Sequence, residues 1–385
     1  MAFESTRMAA LPIPIATPAP LVWVLIPTVA TDDPNLAWYS DYSLAREEYT
    51  RAFATLGMAW RWQPVTMADV ETVIGGLRRA SRGYAPIALN LCDGDEINGS
   101  PGLSVIRALR AHGIPFTGAD ETFYDLTTSK IVMKRLFESA GVPTAPWAIV
   151  QRDGRGTARL FDEISRTLIL KPAISAGSLG IGMKSVVRSP QALRAQLKRL
   201  HDGYRGWALA EGGAFVEKFV IGPEYTTFIV GNGADPAGAR IYPPVERLFN
   251  ETIPVRERFL SFDRLWGIYE EEPEIDGGDG ELWRYTPVRR KALAREIEAI
   301  SWAAYAAVGG RGYGRVDLRQ DARTGKLYVL EVNSQCGLSE DEVQTSIGAI
   351  LRFAKIPFAR AVAAILAHAN IPERRRGRRV TRAAG

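Results

Sequence analysis

A parallel α/β unit followed by antiparallel α+β units is the architecture this sequence predicts, and three observations predict it. First, LVWVLIP (21–27) and IALNLCDG (87–94) are continuous apolar runs with helical patterns between them, as buried strands of a parallel sheet require. Second, the strand pattern TLILKP (167–172) runs into a glycine-rich stretch and then another strand pattern, a hairpin-like arrangement. Third, RVDLRQ and LYVLEVNS flank a turn cluster at Asp321–Lys326 inside the stretch 312–337, and so read as a β-hairpin.

In the first unit, helical patterns are expected near 43–56 and 68–80, with a short strand near 58–62 between them. A helix over 103–112 carries apolar Leu103, Ile106 and Leu109 and stops at Gly113. Ligands of parallel sheets bind at the carboxyl ends of strands, so the loop Asp93–Gly102 lies where one is expected. Capping residues at 125–129 precede a helix from Lys130 to Ser139 that ends before Gly141 and Pro143. Lys130 in its first turn is mildly unfavourable with the helix dipole; an anionic partner would explain it, as would simple exposure.

The stretch 173–182 holds several glycines and serines whose amides can curl around an anion, although a plain flexible hairpin has the same composition. It is not a Walker loop, because no Gly-Lys-Ser/Thr follows and the next pattern, MKSVV, is a strand. Phe215–Tyr225 combines an apolar strand with Glu217 and Glu224, and TTFIVG follows as a strand. The chain then reads as irregular to about Trp283, with an acidic glycine-rich insertion at 270–280. Val288–Val308 is amphipathic, with Leu293, Ile297, Ile300, Ala304 and Ala307 on one face, and is expected to pack under the hairpin.

Centring the hairpin turn on Thr324 sets Asp317 opposite Glu331 and Arg315 opposite Asn333, all on one face. Alternation assigns Val316, Leu318, Tyr328, Leu330 and Val332 to the apolar face. Two carboxylates opposed at about 4.5–5.5 Å repel. A cation between them reverses the sign, while a solvated face with coincidental charges is the bland alternative.

Composition narrows the classes. Hydrophobic content of 46% and charged content of 24% are those of a soluble globular chain. The formal charge of +5 is matched by the stretch 372–385 alone, with six arginines against Glu373. The body is near neutral and offers no basic surface for nucleic acid. Cys92 and Cys336 form no CxxC pair, and His112, His201 and His368 are scattered, so a disulfide framework and a zinc site are not expected. A metal here would be held by oxygen, in magnesium-like fashion. No membrane span or signal-peptide core is read, which fits a cytoplasmic protein.

Taken in order, NLCDG (90–94), GIPFTGA (113–119), SK (129–130), GVPT (141–144), LKP with its glycine loop (170–182), VEKFVIGPE (216–224), GRVD (314–317) and EVNSQCG (331–337) resemble the ATP-grasp superfamily, and within it the D-alanine–D-alanine ligase group. The resemblance implies ATP between two α+β subdomains. By position, Lys130 and Lys171 meet its phosphates, and the loop with Ser175, Gly177, Ser178 and Gly180 closes over them. Glu217, Lys218 and Val220 line the adenine pocket, and Glu224 meets the ribose hydroxyls. Asp317, Glu331 and Asn333 hold two magnesium ions, for which manganese would substitute. A substrate carboxylate, from an amino acid or another donor, then attacks the γ-phosphate, and an amine acceptor displaces phosphate from the acyl phosphate. Arg315, the Gly337 amide and Ser178 are the catalytic candidates.

The implied domains are a loose N-terminus (1–20), an α/β domain (21–120), a central subdomain with the glycine loop (121–213), a C-terminal subdomain with the hairpin (214–371) and a basic tail (372–385); a homodimer is among the expectations. Other outcomes on the same scaffold are a kinase or carboxylase-type enzyme, or a nucleotide-binding protein without ligase activity. The chain departs from the ligase group in having Asp93 where a histidine is usual, Ser100-Pro101 in place of an acidic pair, and Cys336 in place of a proline. An acidic continuation through Glu340, Asp341 and Glu342 follows, which suits an amine-bearing acceptor or a solvated loop equally. These segments face the substrates.

Overall fold

The structure, a computed structural model, describes residues 18–29, 42–175, 177–203, 206–267, 272, 281–341 and 345–372. The basic tail beyond Pro372, the N-terminal stretch 1–17 and all of the acidic insertion 270–280 except Glu272 lie outside the described residues.

Strands β1 (Pro20–Pro27), β2 (Ala59–Val65) and β3 (Ala85–Asn90) pair in parallel in the order β2-β1-β3. The continuous apolar run of β1 is buried over Leu21–Pro27, as a strand covered on both faces must be. Helices Ser43–Leu56, Val70–Ala80 and Leu103–Ala111 surround it. The last helix of the described chain, Phe358–Ala367, returns to this domain and packs on Ser43–Leu56, with Phe358 edge-on to Tyr49.

Strands β4 (Trp147–Val150), β5 (Leu168–Pro172), β6 (Val186–Val187) and β7 (Ala214–Lys218) form a central antiparallel sheet, ordered β4-β7-β5-β6. MKSVV, expected as a strand, is a 3-10 turn over Met183–Ser185 and a two-residue strand. Sheet pairing puts β7 with β4 and β5, so Ala214–Lys218 belongs to the central sheet, and the subdomain boundary we adopt falls after it and not at residue 213. Gly222, at φ +150, turns the chain between sheets; an added Cβ would meet the Gln320 carbonyl at 2.0 Å. The two carboxylates read along one stretch, Glu217 and Glu224, therefore stand on different sheets.

Strands β8 (Glu224–Val230), β9 (Arg240–Ile241), β10 (Val245–Phe249), β11 (Trp283–Pro287), β12 (Tyr313–Gln320) and β13 (Leu327–Ser334) form the C-terminal sheet, ordered β11-β10-β8-β12-β13 with β9 against β8. The region expected to be irregular as far as Trp283 thus contains two strands of this sheet and the short helix Phe262–Trp266. The amphipathic helix runs Lys291–Ala307, and its Leu293, Ile297 and Ala304 bury against Val316, Leu318 and Val332.

The hairpin register holds where it was expected, with Asp317 opposite Glu331 and Arg315 opposite Asn333, but shifts between Asp317 and Leu318. Leu330 is the extra residue of a β-bulge, so the alternation before it inverts. Leu327 and Val329 enter the core, while Tyr328 leaves that face to pack with Ala145 and Val220.

Gln335, beyond the hairpin at φ 53, ties the N-terminal domain to it. Its Oε1 accepts from the Ala119 amide at 2.6 Å and its Nε2 donates to the Asn90 carbonyl at 2.9 Å. Gly118 makes this approach feasible: at φ +86, an added Cβ would lie 1.6 Å from Gln335 Oε1. Gly118→Ala is therefore expected to cost about 2–3 kcal/mol, through left-handed strain plus the displaced Gln335. Urea unfolding measures it, and a loss below about 0.5 kcal/mol would refute the account.

Candidate active site

The hairpin face is the centre of the site. Asp317 accepts from Arg315 Nε (3.0 and 3.1 Å) and Nη2 (2.8 Å), from Asn333 Nδ2 (2.9 Å) and from Thr226 Oγ1 (2.7 Å). Glu331 Oε2 lies 3.3 Å from Lys130 Nζ. The opposed carboxylates thus each have a cation beside them. Burial alone would raise the Glu331 carboxyl, but Lys130, Lys171 and Arg315 hold it below the usual range. Among the described residues, no protein partner takes Nη1 or the second Nη2 hydrogen of Arg315.

Lys130 is the first residue of its helix, capped by Ser129, and its Nζ donates to the Ser175 carbonyl at 2.6 Å. The glycine loop is held on its far side too. Ser178, at φ 62, donates its hydroxyl to the Leu260 carbonyl (3.1 Å), and the Phe262 amide donates to the Ile181 carbonyl (2.9 Å). That bond ties the Ser178 hydroxyl to the 250–265 segment. Gly177, also at positive φ, and Gly180 supply the tight turn. Gly337 is exposed beside buried Cys336 at the end of the hairpin.

On the central sheet, Glu217 is buried between two lysines, with Lys134 Nζ 2.5 Å from Oε2 and Lys171 Nζ 2.6 Å from Oε1. Desolvation opposes the charge, yet the two ammoniums win and bring the Glu217 carboxyl down to about 2. Lys134 is 1% exposed, donates to Thr144 Oγ1 at 2.8 Å and faces the Phe215 ring. The sequence reading missed it, although a lysine between Ile131 and Phe137 on the buried stripe of an amphipathic helix was a signal. Lys218 Nζ donates to Asp321 of the hairpin turn at 2.5 Å.

Glu224, on the other sheet, is bracketed by Arg247 and by Arg319 (3.2 Å), which hold its carboxyl below the ordinary range against the pull of burial. Arg319 also donates to the Val220 carbonyl at 2.9 Å. Both arginines went unread in the sequence. Arg247 sits in the stretch taken as irregular, while Arg319 shares a face with Arg315 and Asp317 and was legible from alternation.

Beyond β3 and beyond the hairpin, Cys92 and Cys336 are buried, and burial pushes the Cys336 thiol up to about 12. Asp93, exposed in the loop after β3, is ringed by protein at longer range, and the resulting desolvation raises its carboxyl to about 6. Its charge is felt by Cys92, Tyr124, Tyr313 and Cys336. The expected acidic continuation is partly neutralised, since Glu340 pairs with Arg51 at 2.5 Å; Asp341 donates its amide to Glu48, and Glu342 lies outside the described residues.

A sequence profile for the D-ala D-ala ligase C-terminus family matches residues 136–347, more than half of the chain. The chain belongs to that family. Curated relatives include the D-alanine–D-alanine ligase of Acidovorax ebreus, 26% identical over 60% of this chain and 61% of its own length. A protein called y4sG from Sinorhizobium fredii, described as uncharacterized, is 29% identical over 60% of each chain. The chain thus spans about three fifths of the length of these relatives. The D-alanine–D-alanine ligase of Nitrosococcus oceani is 26% identical over 78% of this chain and 83% of its own. Among solved structures, the Bacillus anthracis D-alanine–D-alanine ligase complexed with ATP superposes with a TM-score of 0.61 at 17% identity, covering 90% of this chain and 96% of that one. The fold is the ATP-grasp fold, a parallel-sheet domain followed by two antiparallel subdomains. Among the described residues no helix is long and apolar enough to cross a membrane.

Proposed function

We propose that this protein is an ATP-dependent ligase that joins a carboxylate to an amine through an acyl phosphate. The observation that carries the reading is the shared hairpin face, where Asp317, Glu331, Asn333 and Arg315 meet Lys130 from another subdomain. Membership of the family supports it.

The residues fit a nucleotide with magnesium. Two carboxylates and an amide oxygen are hard donors of the number magnesium takes from protein when phosphates supply the rest. Among the described residues no group of three or more His, Cys, Asp or Glu forms a self-sufficient cage. The buried groups that lack protein partners among the described residues include Ser175 Oγ in the glycine loop and Arg247 Nε beside Glu224. Asp317, Glu331 and Asn333 would hold the ions, which when bound screen the charge of the phosphates. Lys130 and Lys171 add positive charge at the same place, and Glu217, Lys218 and Val220 with Glu224 border the base and sugar.

Such a site needs no enzyme nucleophile. Lys130, Lys171 and the glycine loop orient the phosphates, Arg315 faces the developing oxyanion through its remaining N–H groups, and the Gly337 amide stands beside it. A phosphate-release screen of paired amino acids with ATP and magnesium, read by product mass, tests the reading. ADP, phosphate and a new amide are expected, whereas ADP with a stable phosphorylated substrate would replace the ligase reading with a kinase one.

In the same reading Asp93 faces the substrates and acts as the carboxylate. Its raised pKa then gives kcat/KM for the amino-acid substrate an acidic limb centred near pH 6, with activity lost as pH falls through that value. The limb is expected to vanish in Asp93→Asn. A limb unchanged in the variant would remove Asp93 from the substrate end.

A further inference from the structure

Gly337 is the exposed residue of a short span that the N-terminal domain holds at both ends. Before it, Gln335 is fixed by the Ala119 amide and the Asn90 carbonyl. After it, buried Ser339 donates its hydroxyl to Glu48 Oε1 at 2.7 Å, and the Asp341 amide donates to the same oxygen at 3.2 Å. Glu48 belongs to the helix Ser43–Leu56 and is 1% exposed. Leu338, between the two anchors, is buried in one core with Tyr49 and Phe358. One turn farther along the helix Arg51 meets Glu340, but both side chains are about half exposed, and a surface pair of that kind holds little. Glu48 is therefore the anchor on the far side of Gly337.

A carboxylate is an expensive anchor here. Burial raises the Glu48 carboxyl against the pull of its hydrogen bonds, and Oε2 has no protein partner among the described residues. Apolar packing at this position would avoid that desolvation penalty. What the carboxylate supplies instead is geometry, because one oxygen takes a hydroxyl and an amide from Ser339 and Asp341 and so sets the path of the chain beyond Gly337. The site gives that path a use. Lys130, Lys171 and the glycine loop occupy the phosphate side of the hairpin face, with Glu331 beside Lys130. In the ligase reading the incoming amine then arrives from the other end, where β13 runs out into Gln335–Asp341. We propose that Glu48 is a positioning residue for the amine acceptor, setting the Gly337–Asp341 wall against which that substrate lies, while acyl-phosphate formation does not depend on it. The inference rests on the ligase reading and assigns a helix of the N-terminal domain to the second substrate.

Two measurements on the full chain test it. Hydrogen–deuterium exchange reads the anchor: protection of the Asp341 amide is expected to fall about tenfold in Glu48→Ala and to persist in Glu48→Gln, which keeps an acceptor oxygen. Kinetics read its use, with the amino-acid pair of highest phosphate release in the screen as probe and hydroxylamine as the alternative acceptor. Hydroxylamine attacks the acyl phosphate through nitrogen, forming the C–N bond of a hydroxamate as the C–O bond to phosphate breaks, and is small enough to react without the wall. Glu48→Ala is expected to raise KM for the amino acid that supplies the amine about tenfold, with KM for ATP and the rate of hydroxamate formation within about twofold of wild type. Glu48→Gln is expected to restore most of that KM. Ser339→Ala, which removes a donor from the loop and leaves the helix intact, is expected to raise the same KM about threefold and covers the case in which Glu48→Ala fails to fold. An acceptor KM unchanged in both alanine variants, or an Asp341 amide that exchanges as fast in the wild type as in Glu48→Ala, would overturn the proposal and leave the ligase reading standing. Amide and hydroxamate formation falling in equal proportion would also overturn it, by making Glu48 structural only. A wild type that turns over no pair would remove the ligase reading and the proposal together.

Discussion

Asp317→Asn and Glu331→Gln are each expected to lower turnover by about a thousandfold with the fold intact. Both substitutions keep volume and hydrogen-bonding shape while removing one negative charge from the hairpin face. Asp317 is the acceptor for Arg315, Asn333 and Thr226 together, so its charge sets where the Arg315 guanidinium points as well as what a cation meets. Removing a preorganised charged group at a phosphoryl-transfer centre typically costs several kcal/mol of transition-state stabilisation, which is where a factor of about a thousand comes from. Glu331→Gln leaves Lys130 facing a neutral amide at the position now 3.3 Å away. Phosphate release under saturating substrates, with circular dichroism to check folding, is the measurement. Near-normal release by both variants would sink the assignment of this face.

Glu217→Ala is expected to cost about 3–5 kcal/mol of folding stability, the largest structural effect proposed here. The carboxylate is the shared anion of Lys134 and Lys171 at 2.5 and 2.6 Å, and Lys134 has virtually no access to water. Deleting it leaves a buried ammonium uncompensated, which is costlier than the pair was favourable. A double variant, Glu217→Ala with Lys134→Met, is therefore expected to regain a good part of the loss.

The same network sets an acid limit. The Glu217 carboxyl is depressed from 4.5 in the free group to about 2 in the folded chain, so its stabilising contribution is fully present above pH 4.5 and is lost as pH falls toward 2. Urea unfolding at pH 7 and across that window reads both effects. A change below about 1 kcal/mol in Glu217→Ala would show the network to be incidental.

Much of this site was legible because it is local. A hairpin with a compact turn fixes which residues oppose each other, so Asp317, Glu331, Arg315 and Asn333 were placed together by counting from Thr324. The buried runs of β1 and β3 declared a parallel sheet for a similar reason, since strands covered on both faces cannot alternate. The bulge at Leu330 was not legible, because nothing in a leucine marks an extra residue, and the alternation before it was consequently assigned to the wrong face. Lys134 carried a faint signal as a charge on an apolar stripe, but its partner lay 83 positions away, on a strand of the central sheet.

What the sequence alone determined, then, is the set of chemical groups and their arrangement within single strands and turns, because backbone periodicity and turn geometry act over a few residues. What only the tertiary structure decided is which distant charges meet. Glu217 lies between two lysines and Glu224 between two arginines because Gly222 sends adjacent strands into different sheets, and cross-strand register then chooses the neighbours. Coulombic attraction and desolvation act through space, not along the chain, so the ionisation and orientation of these groups follow from the packing of the sheets.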